Sequence, residues 1–86
     1  MYEENIVIRN TSGLHARPAS QLVALANEYE SDVEVVFGDK KVNAKSVLSV
    51  LTAGIYAGSE VVLRVSGADE DVAAPALSEF MNNLPD

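Results

Sequence analysis

Segments with two different spacings of apolar residues alternate along this chain and predict its secondary structure. Apolar and polar residues alternate in residues 2–9, 32–37 and 60–66, which is the period of a half-buried β-strand. From Ala16 to about Tyr29, apolar residues instead recur every three or four positions, as in an amphipathic helix. The chain therefore begins with a strand, a helix and a second strand.

Turn and cap residues indicate the next two elements. The pair Gly38-Asp39 predicts a hairpin loop that leads into a short strand at residues 40–43. Ser46 is a good N-cap by residue type, and we expect a helix of about two turns from there to Gly54. A strand–strand–helix segment thus precedes the strand at residues 60–66.

A last helix is predicted after residues 69–71, because acidic residues suit a helix N-terminus. The apolar residues predicted on its core-facing side are Val72, Ala76, Leu77, Phe80, Met81 and Leu84. Pro75 lies beyond the first turn, where a proline removes a backbone hydrogen bond and clashes with the preceding turn. We therefore expect this helix to be kinked or to start late.

The complete order, βαββαβα, predicts an α+β fold in one domain that spans residues 1–86. A strand with one apolar face needs cover on one side only, so a four-stranded, mainly antiparallel sheet with three helices on one face satisfies the pattern. A chain of 86 residues has room for one small core.

Composition excludes several classes of function. The net charge of −7 argues against nucleic-acid binding, which needs a basic surface. With no cysteine and one histidine, the chain lacks the ligands of a zinc site, and we expect no metal and no cofactor. No apolar run is long enough to span a membrane, and the acidic start does not resemble a signal peptide. We expect a cytoplasmic monomer.

The only histidine, His15, lies where the first helix is predicted to begin. Gly13 ends the preceding turn, and Pro18 is tolerated only in the first turn of a helix. The backbone N–H groups of that turn are unpaired and favour anions, and the Arg17 guanidinium adds a charged donor for phosphate oxygens. We hypothesise that His15 accepts and donates a phosphoryl group. On spacing alone, a lone histidine is more often a surface or capping residue.

A family resemblance rests on seven consecutive residues, Gly13 to Ala19, which read GLHARPA. They resemble the active-site signature of HPr, the histidine phosphocarrier of the bacterial phosphoenolpyruvate-dependent sugar phosphotransferase system. The resemblance implies an open-faced sandwich with sheet order 1-4-2-3. It also implies that His15 takes a phosphoryl group on Nδ1 from phospho-enzyme I and passes it to IIA-type sugar permease components. Arg17 and the backbone N–H of Ala16 would stabilise the group. Such a chain is a covalent carrier rather than an enzyme.

A second resemblance concerns the segment from Val42 to Ser46, which reads VNAKS. It is similar to the regulatory segment of HPr proteins from low-GC Gram-positive bacteria. That similarity implies phosphorylation of Ser46 by an ATP-dependent HPr kinase/phosphorylase. Local chemistry alone says only that Ser46 caps a helix.

Three apolar residues of the short helix, Val47, Leu48 and Leu51, have two interpretations. By spacing they are more often core than interface, and we expect at least part of the set to be buried. The resemblance implies instead an exposed patch that docks both enzyme I and the IIA-type components.

Two alternative functions remain open. One is a catabolite-repression regulator that acts mainly as Ser46-phosphate, as corepressor of a LacI-type repressor. The other is an acidic binding module with the same fold and no phosphorylation, for which replacing His15 or Ser46 has no effect.

Overall fold

The computed structural model of the chain describes residues 1–85. Its elements are β1 Tyr2–Val7, α1 Ala16–Ala26, β2 Asp32–Phe37, β3 Lys40–Asn43, α2 Val47–Ala53, β4 Glu60–Ser66 and α3 Glu70–Asn82. The strands form one antiparallel sheet in the order β1-β4-β2-β3. The predicted α+β fold, its βαββαβα order and the strand order implied by the resemblance are confirmed.

The sheet has one buried face and one open face. In β4, the residues that point to the core are Val61, Leu63 and Val65. The alternate residue Arg64 lies on the open face, where its guanidinium pairs with Glu3 at 2.8 Å and Glu34 at 3.1 Å. The alternation seen in the sequence therefore follows from helices covering one side of the sheet only.

The first helix ends at Ala26, three residues earlier than its apolar spacing suggests. Asn27 ends it: its side-chain amide donates to the carbonyl of Val23 at 2.9 Å and to that of Lys45 at 3.2 Å. A side chain that bonds nearby carbonyls competes with helix continuation. The same amide ties the end of α1 to the segment before α2.

The last helix does not start late, so that alternative of the prediction is wrong, and the kink at Pro75 stays a prediction. It begins at Glu70, with Asp69 as N-cap, and continues through Pro75 to Asn82. Pro75 is exposed, and the carbonyl that loses its partner belongs to Asp71, which is also exposed and can bond water.

The core-facing side of α3 also differs from the prediction. Val72 is 60% exposed, and the buried residues are Ala73, Ala74, Leu77 and Met81. Two of these four buried residues are alanines, so small side chains face the core in the first half of α3.

Asp69 connects the start of α3 to the segment before β2. Its carboxylate accepts hydrogen bonds from the backbone N–H of Glu30 at 2.8 Å, from that of Ser31 at 2.9 Å, and from the Ser31 hydroxyl. The bond from the Ser31 hydroxyl, followed by that from the Glu30 amide, lowers the pKa of Asp69. The charged carboxylate thus stabilises this junction.

Candidate functional site

The turn before α1 is packed directly against residues 55–56, in the loop that follows α2. Gly13 has φ +67°, and a Cβ placed on it would lie 2.7 Å from both the Ile55 carbonyl oxygen and Tyr56 Cα. Leu14 is buried, and its N–H donates to the Ile55 carbonyl at 3.1 Å. Only glycine has both the backbone freedom and the small size for this approach. The packing brings the turn to the surface at the next residue, His15.

His15 is the N-cap of α1, as its position before Pro18 predicted. Its backbone is extended, at φ −81° and ψ −171°, and its carbonyl accepts the first helical bond from Ala19 N–H at 2.9 Å. The imidazole makes no capping hydrogen bond, and the residue is exposed. Both ring nitrogens are therefore open to an incoming group.

Two backbone donors and one side-chain cation surround the start of α1. The N–H groups of Ala16 and Arg17 belong to the first turn and have no acceptor within residues 1–85. The next residue, Pro18, has no N–H. Arg17 is exposed and forms no ion pair with any described residue. No carboxylate occupies this first turn. The helix dipole and these donors favour an anion next to His15.

Acidic residues are absent from both segments that flank this site. None of the 13 Asp and Glu residues falls in residues 10–27 or 40–59, although the net charge is −7. The same segments contain Arg17 and all three lysines of the chain, and they include α1 and α2, which contact each other. The two segments that contribute the site thus contain basic residues and no acidic ones, although the protein as a whole is acidic.

The short helix α2 exposes apolar side chains beside this region. Val47 is 38% exposed, Leu48 72% and Leu51 41%, whereas Val50 and Ala53 face the core. The expectation that part of the first set is buried is wrong, because Val50 and Ala53 alone supply the inward face. The exposed set is called the α2 patch below.

Sequence reasoning missed one exposed aromatic side chain near the turn. Tyr56 is 62% exposed, and its ring stands edge-on against Phe37, with centroids 5.8 Å apart. Its backbone lies against Gly13. The available signal was an aromatic residue in a short loop bounded by Gly54 and Gly58.

Ser46 caps α2, as its residue type predicted. Its Oγ accepts a hydrogen bond from Ser49 N–H at 3.2 Å, and its backbone is extended. The preceding Lys45 donates from Nζ to the Tyr29 carbonyl at 2.8 Å. Ser46 is half-buried and lies directly before Val47 of the α2 patch.

Neither a metal-binding group of side chains nor a membrane-spanning helix is found in the described part of the chain. Within residues 1–85, no three His, Cys, Asp or Glu side chains come together in a group that could hold a metal ion. No helix in this part of the chain is long and apolar enough to cross a membrane.

Comparisons with known proteins agree on one family. The family model described as the PTS HPr component phosphorylation site matches residues 2–83. Phosphocarrier protein HPr of Buchnera aphidicola is 37% identical over 84 residues, which is 98% of this chain and 99% of that protein. HPr-C-His from Thermoanaerobacter tengcongensis has a similar structure, with TM-score 0.89 and 41% identity over 94% of this chain and 91% of that one.

A regulatory relative is similar as well. The catabolite repression protein Crh of Bacillus subtilis, described as a dimer with a swapped domain, has TM-score 0.76 and 36% identity, covering 99% of this chain and 100% of that one. The match to the family model over residues 2–83, together with the HPr relatives, favours HPr. The chain belongs to the HPr family, the phosphocarrier proteins of the phosphotransferase system.

Proposed function

We propose that His15 accepts a phosphoryl group from phospho-enzyme I and donates it to IIA-type components of sugar permeases, in the cytoplasm. The observation that carries this proposal is an exposed, unbonded imidazole at the N-terminus of α1, next to two open backbone N–H groups. The lone pair of Nδ1 forms the new N–P bond. The electrons of the breaking P–N bond return to the donor's histidine nitrogen, so no co-reactant is needed.

The start of α1 provides the charge that this transfer needs. The arriving phosphoryl group carries negative charge, which the N–H groups of Ala16 and Arg17 and the Arg17 guanidinium offset. Because these donors are fixed by the helix, they need little reorganisation during transfer. The chain supplies a nucleophile and an anion site, and we assign the remaining catalytic groups to its partners, so the protein is a carrier rather than an enzyme.

The α2 patch and Tyr56 form the docking surface of this proposal. The donor must bring the nitrogen that carries the phosphoryl group in line with His15, and the acceptor must bring the nitrogen that receives it in line with the same atom. Both partners therefore use the surface around His15. The exposed Val47, Leu48 and Leu51 provide apolar contact, and the absence of acidic residues from residues 10–27 and 40–59 suits a partner with carboxylates at its rim. A carrier must leave quickly, so the contact is small and transient.

A second function is proposed for Ser46, supported by the similarity to Crh. An ATP-dependent HPr kinase/phosphorylase phosphorylates Ser46, and the product binds a LacI-type catabolite repressor. Phosphate adds a charge of about −1.5 to −2 at the start of α2, adjacent to the α2 patch. That charge would disfavour the acid-rimmed partners proposed for transfer, so the two functions would alternate.

Phosphorylation with the natural donor tests the proposal. The chain is incubated with phosphoenolpyruvate and enzyme I of the same organism, and its intact mass is followed, with His15→Ala as control. We expect a gain of one acid-labile phosphoryl group that is absent in the control. No gain by the wild type would refute the carrier function. Incubation with ATP and the kinase should give an acid-stable gain that Ser46→Ala abolishes, and failure of that gain would refute the regulatory function.

A further inference from the structure

The turn that carries His15 contains a buried amide. Asn10 is 7% exposed, and its Nδ2 donates to two carbonyls, that of Gly13 at 2.8 Å and that of Pro85 at 3.2 Å. Its Oδ1 is buried and has no hydrogen-bond partner within residues 1–85. A buried polar atom without a partner is costly, and such atoms are few in native proteins. The two bonds donated by Nδ2 are therefore what asparagine contributes at this position.

The hydrogen bond from Asn10 to the Gly13 carbonyl holds the peptide unit between Gly13 and Leu14, just before His15. Its oxygen accepts from Asn10, and its N–H, which belongs to Leu14, donates to the Ile55 carbonyl at 3.1 Å. Both polar atoms of this peptide are therefore held. Rotation of the peptide would move His15 relative to the N–H groups of α1.

The hydrogen bond from Asn10 to the Pro85 carbonyl connects the segment after α3 to the His15 turn. Leu84 packs against the core, and the next carbonyl lies at Asn10, 75 residues away in sequence. One side-chain amide thus joins the end of β1, the turn before α1 and the segment after α3.

We propose that Asn10 is a positioning residue for phosphoryl transfer, and that it makes the segment at residues 83–85 part of the support of the His15 turn. The inference rests on the function proposed for His15, since positioning matters only if that side chain reacts. Asn10 touches neither the phosphoryl group nor the α2 patch. Its loss should therefore slow the transfer step and leave docking unchanged.

Asn10→Ala is compared with Val65→Ala in steady-state transfer from phospho-enzyme I. Val65 is fully buried at the end of β4 that pairs with Tyr2, remote from the turn, so its variant controls for lost stability. We expect Asn10→Ala to lower kcat about tenfold at unchanged KM, since small misplacements of reacting groups have effects of this size or larger. Equal kcat in both variants, or a raised KM at unchanged kcat, would overturn the proposal.

A chain that ends at Leu84, and so lacks Pro85 and Asp86, provides the second test. Its effect in the wild-type background keeps the proposal testable if Asn10→Ala does not fold, because an unchanged kcat there would overturn the role given to the Pro85 carbonyl. Removal of the Pro85 carbonyl should lower kcat in the wild-type background and have no added effect in the Asn10→Ala background. Additive losses would show that Asn10 and the segment act separately, which contradicts the coupling.

Hydrogen exchange of the Leu14 amide separates this inference from the function itself. If the wild type accepts no phosphoryl group, the proposed function fails. The exchange rate of the Leu14 amide then still tests whether Asn10 holds the His15 turn. Faster exchange of Leu14 in Asn10→Ala than in Val65→Ala supports the proposal, and equal exchange refutes it.

Discussion

Replacing Gly13 by alanine tests how closely the His15 turn is packed against residues 55–56. The new Cβ would lie 2.7 Å from the Ile55 carbonyl oxygen and 2.7 Å from Tyr56 Cα, both backbone atoms that cannot rotate away. Gly38 is the matched control, because it has nearly the same φ, +64° against +67°, with no atom within 4 Å of the added Cβ. The pair separates the backbone term from the contact term.

The two substitutions should differ by the contact term alone. A positive φ costs a residue with a Cβ about 1–2 kcal/mol, partly offset by the lower entropy of the unfolded alanine chain, which is worth about 0.4–1 kcal/mol. Gly38→Ala should therefore lose about 1 kcal/mol. Forcing an atom into a packed region adds about 1–3 kcal/mol. Gly13→Ala should lose about 2–4 kcal/mol, against a total stability of about 4–13 kcal/mol for a domain of 86 residues.

Urea unfolding of both variants and the wild type measures this difference. With a slope of about 1–2 kcal/mol per molar urea, a further loss of 2 kcal/mol lowers the midpoint by about 1–2 M. The phosphoryl-acceptance rate should fall in Gly13→Ala and stay unchanged in Gly38→Ala. Equal losses of stability, within about 0.5 kcal/mol, would show that the turn is not held by this close approach.

Three further substitutions test other parts of the account. Asp69→Asn should lower the urea midpoint at neutral pH and make that midpoint fall less steeply in acid. The lowered pKa of Asp69 stabilises the fold above the unfolded-state pKa, and this stabilisation is lost as pH falls through the folded-state pKa. Parallel pH profiles of the variant and the wild type would contradict this. Leu48→Ala should change the unfolding free energy by less than about 0.5 kcal/mol and raise KM for enzyme I. Its control, Val50→Ala, replaces a buried residue and should lose about 2 kcal/mol of stability at unchanged KM. An unchanged KM for Leu48→Ala would show that the α2 patch does not take part in docking. Arg17→Ala should lower kcat for transfer at least about tenfold, whereas Arg9→Ala, which also removes an exposed arginine, should leave kcat unchanged. Equal effects would show that Arg17 acts only through the overall charge of the protein.

Local patterns were sufficient for the fold wherever one local cause decides the structure. In β4 every second residue is buried because helices cover one face of the sheet, so alternation alone locates the strand. Gly13 and Pro18 bracket the start of α1 in the same way, since each tolerates only a few backbone positions. The placement of His15 followed from these two residues.

Contacts between distant segments explain what sequence patterns missed. The end of α1 depends on Asn27 reaching Lys45, and the support of the His15 turn depends on Asn10 reaching Pro85. Neither pairing has a local signal. The exposure of Val72 likewise depends on how α3 is rotated against the sheet, which alanine spacing and apolar spacing do not resolve.

Relay of the phosphoryl group tests the carrier function most directly. Phosphoenolpyruvate and enzyme I are combined with an IIA-type domain of the same organism, and phosphorylation of that domain is followed by intact mass with and without this chain. We expect phospho-IIA to appear only when the chain is present, in an amount well above that of the chain, and to disappear when His15→Ala replaces it. Phosphorylation of the IIA-type domain at the same rate without the chain, or with His15→Ala, would contradict the account.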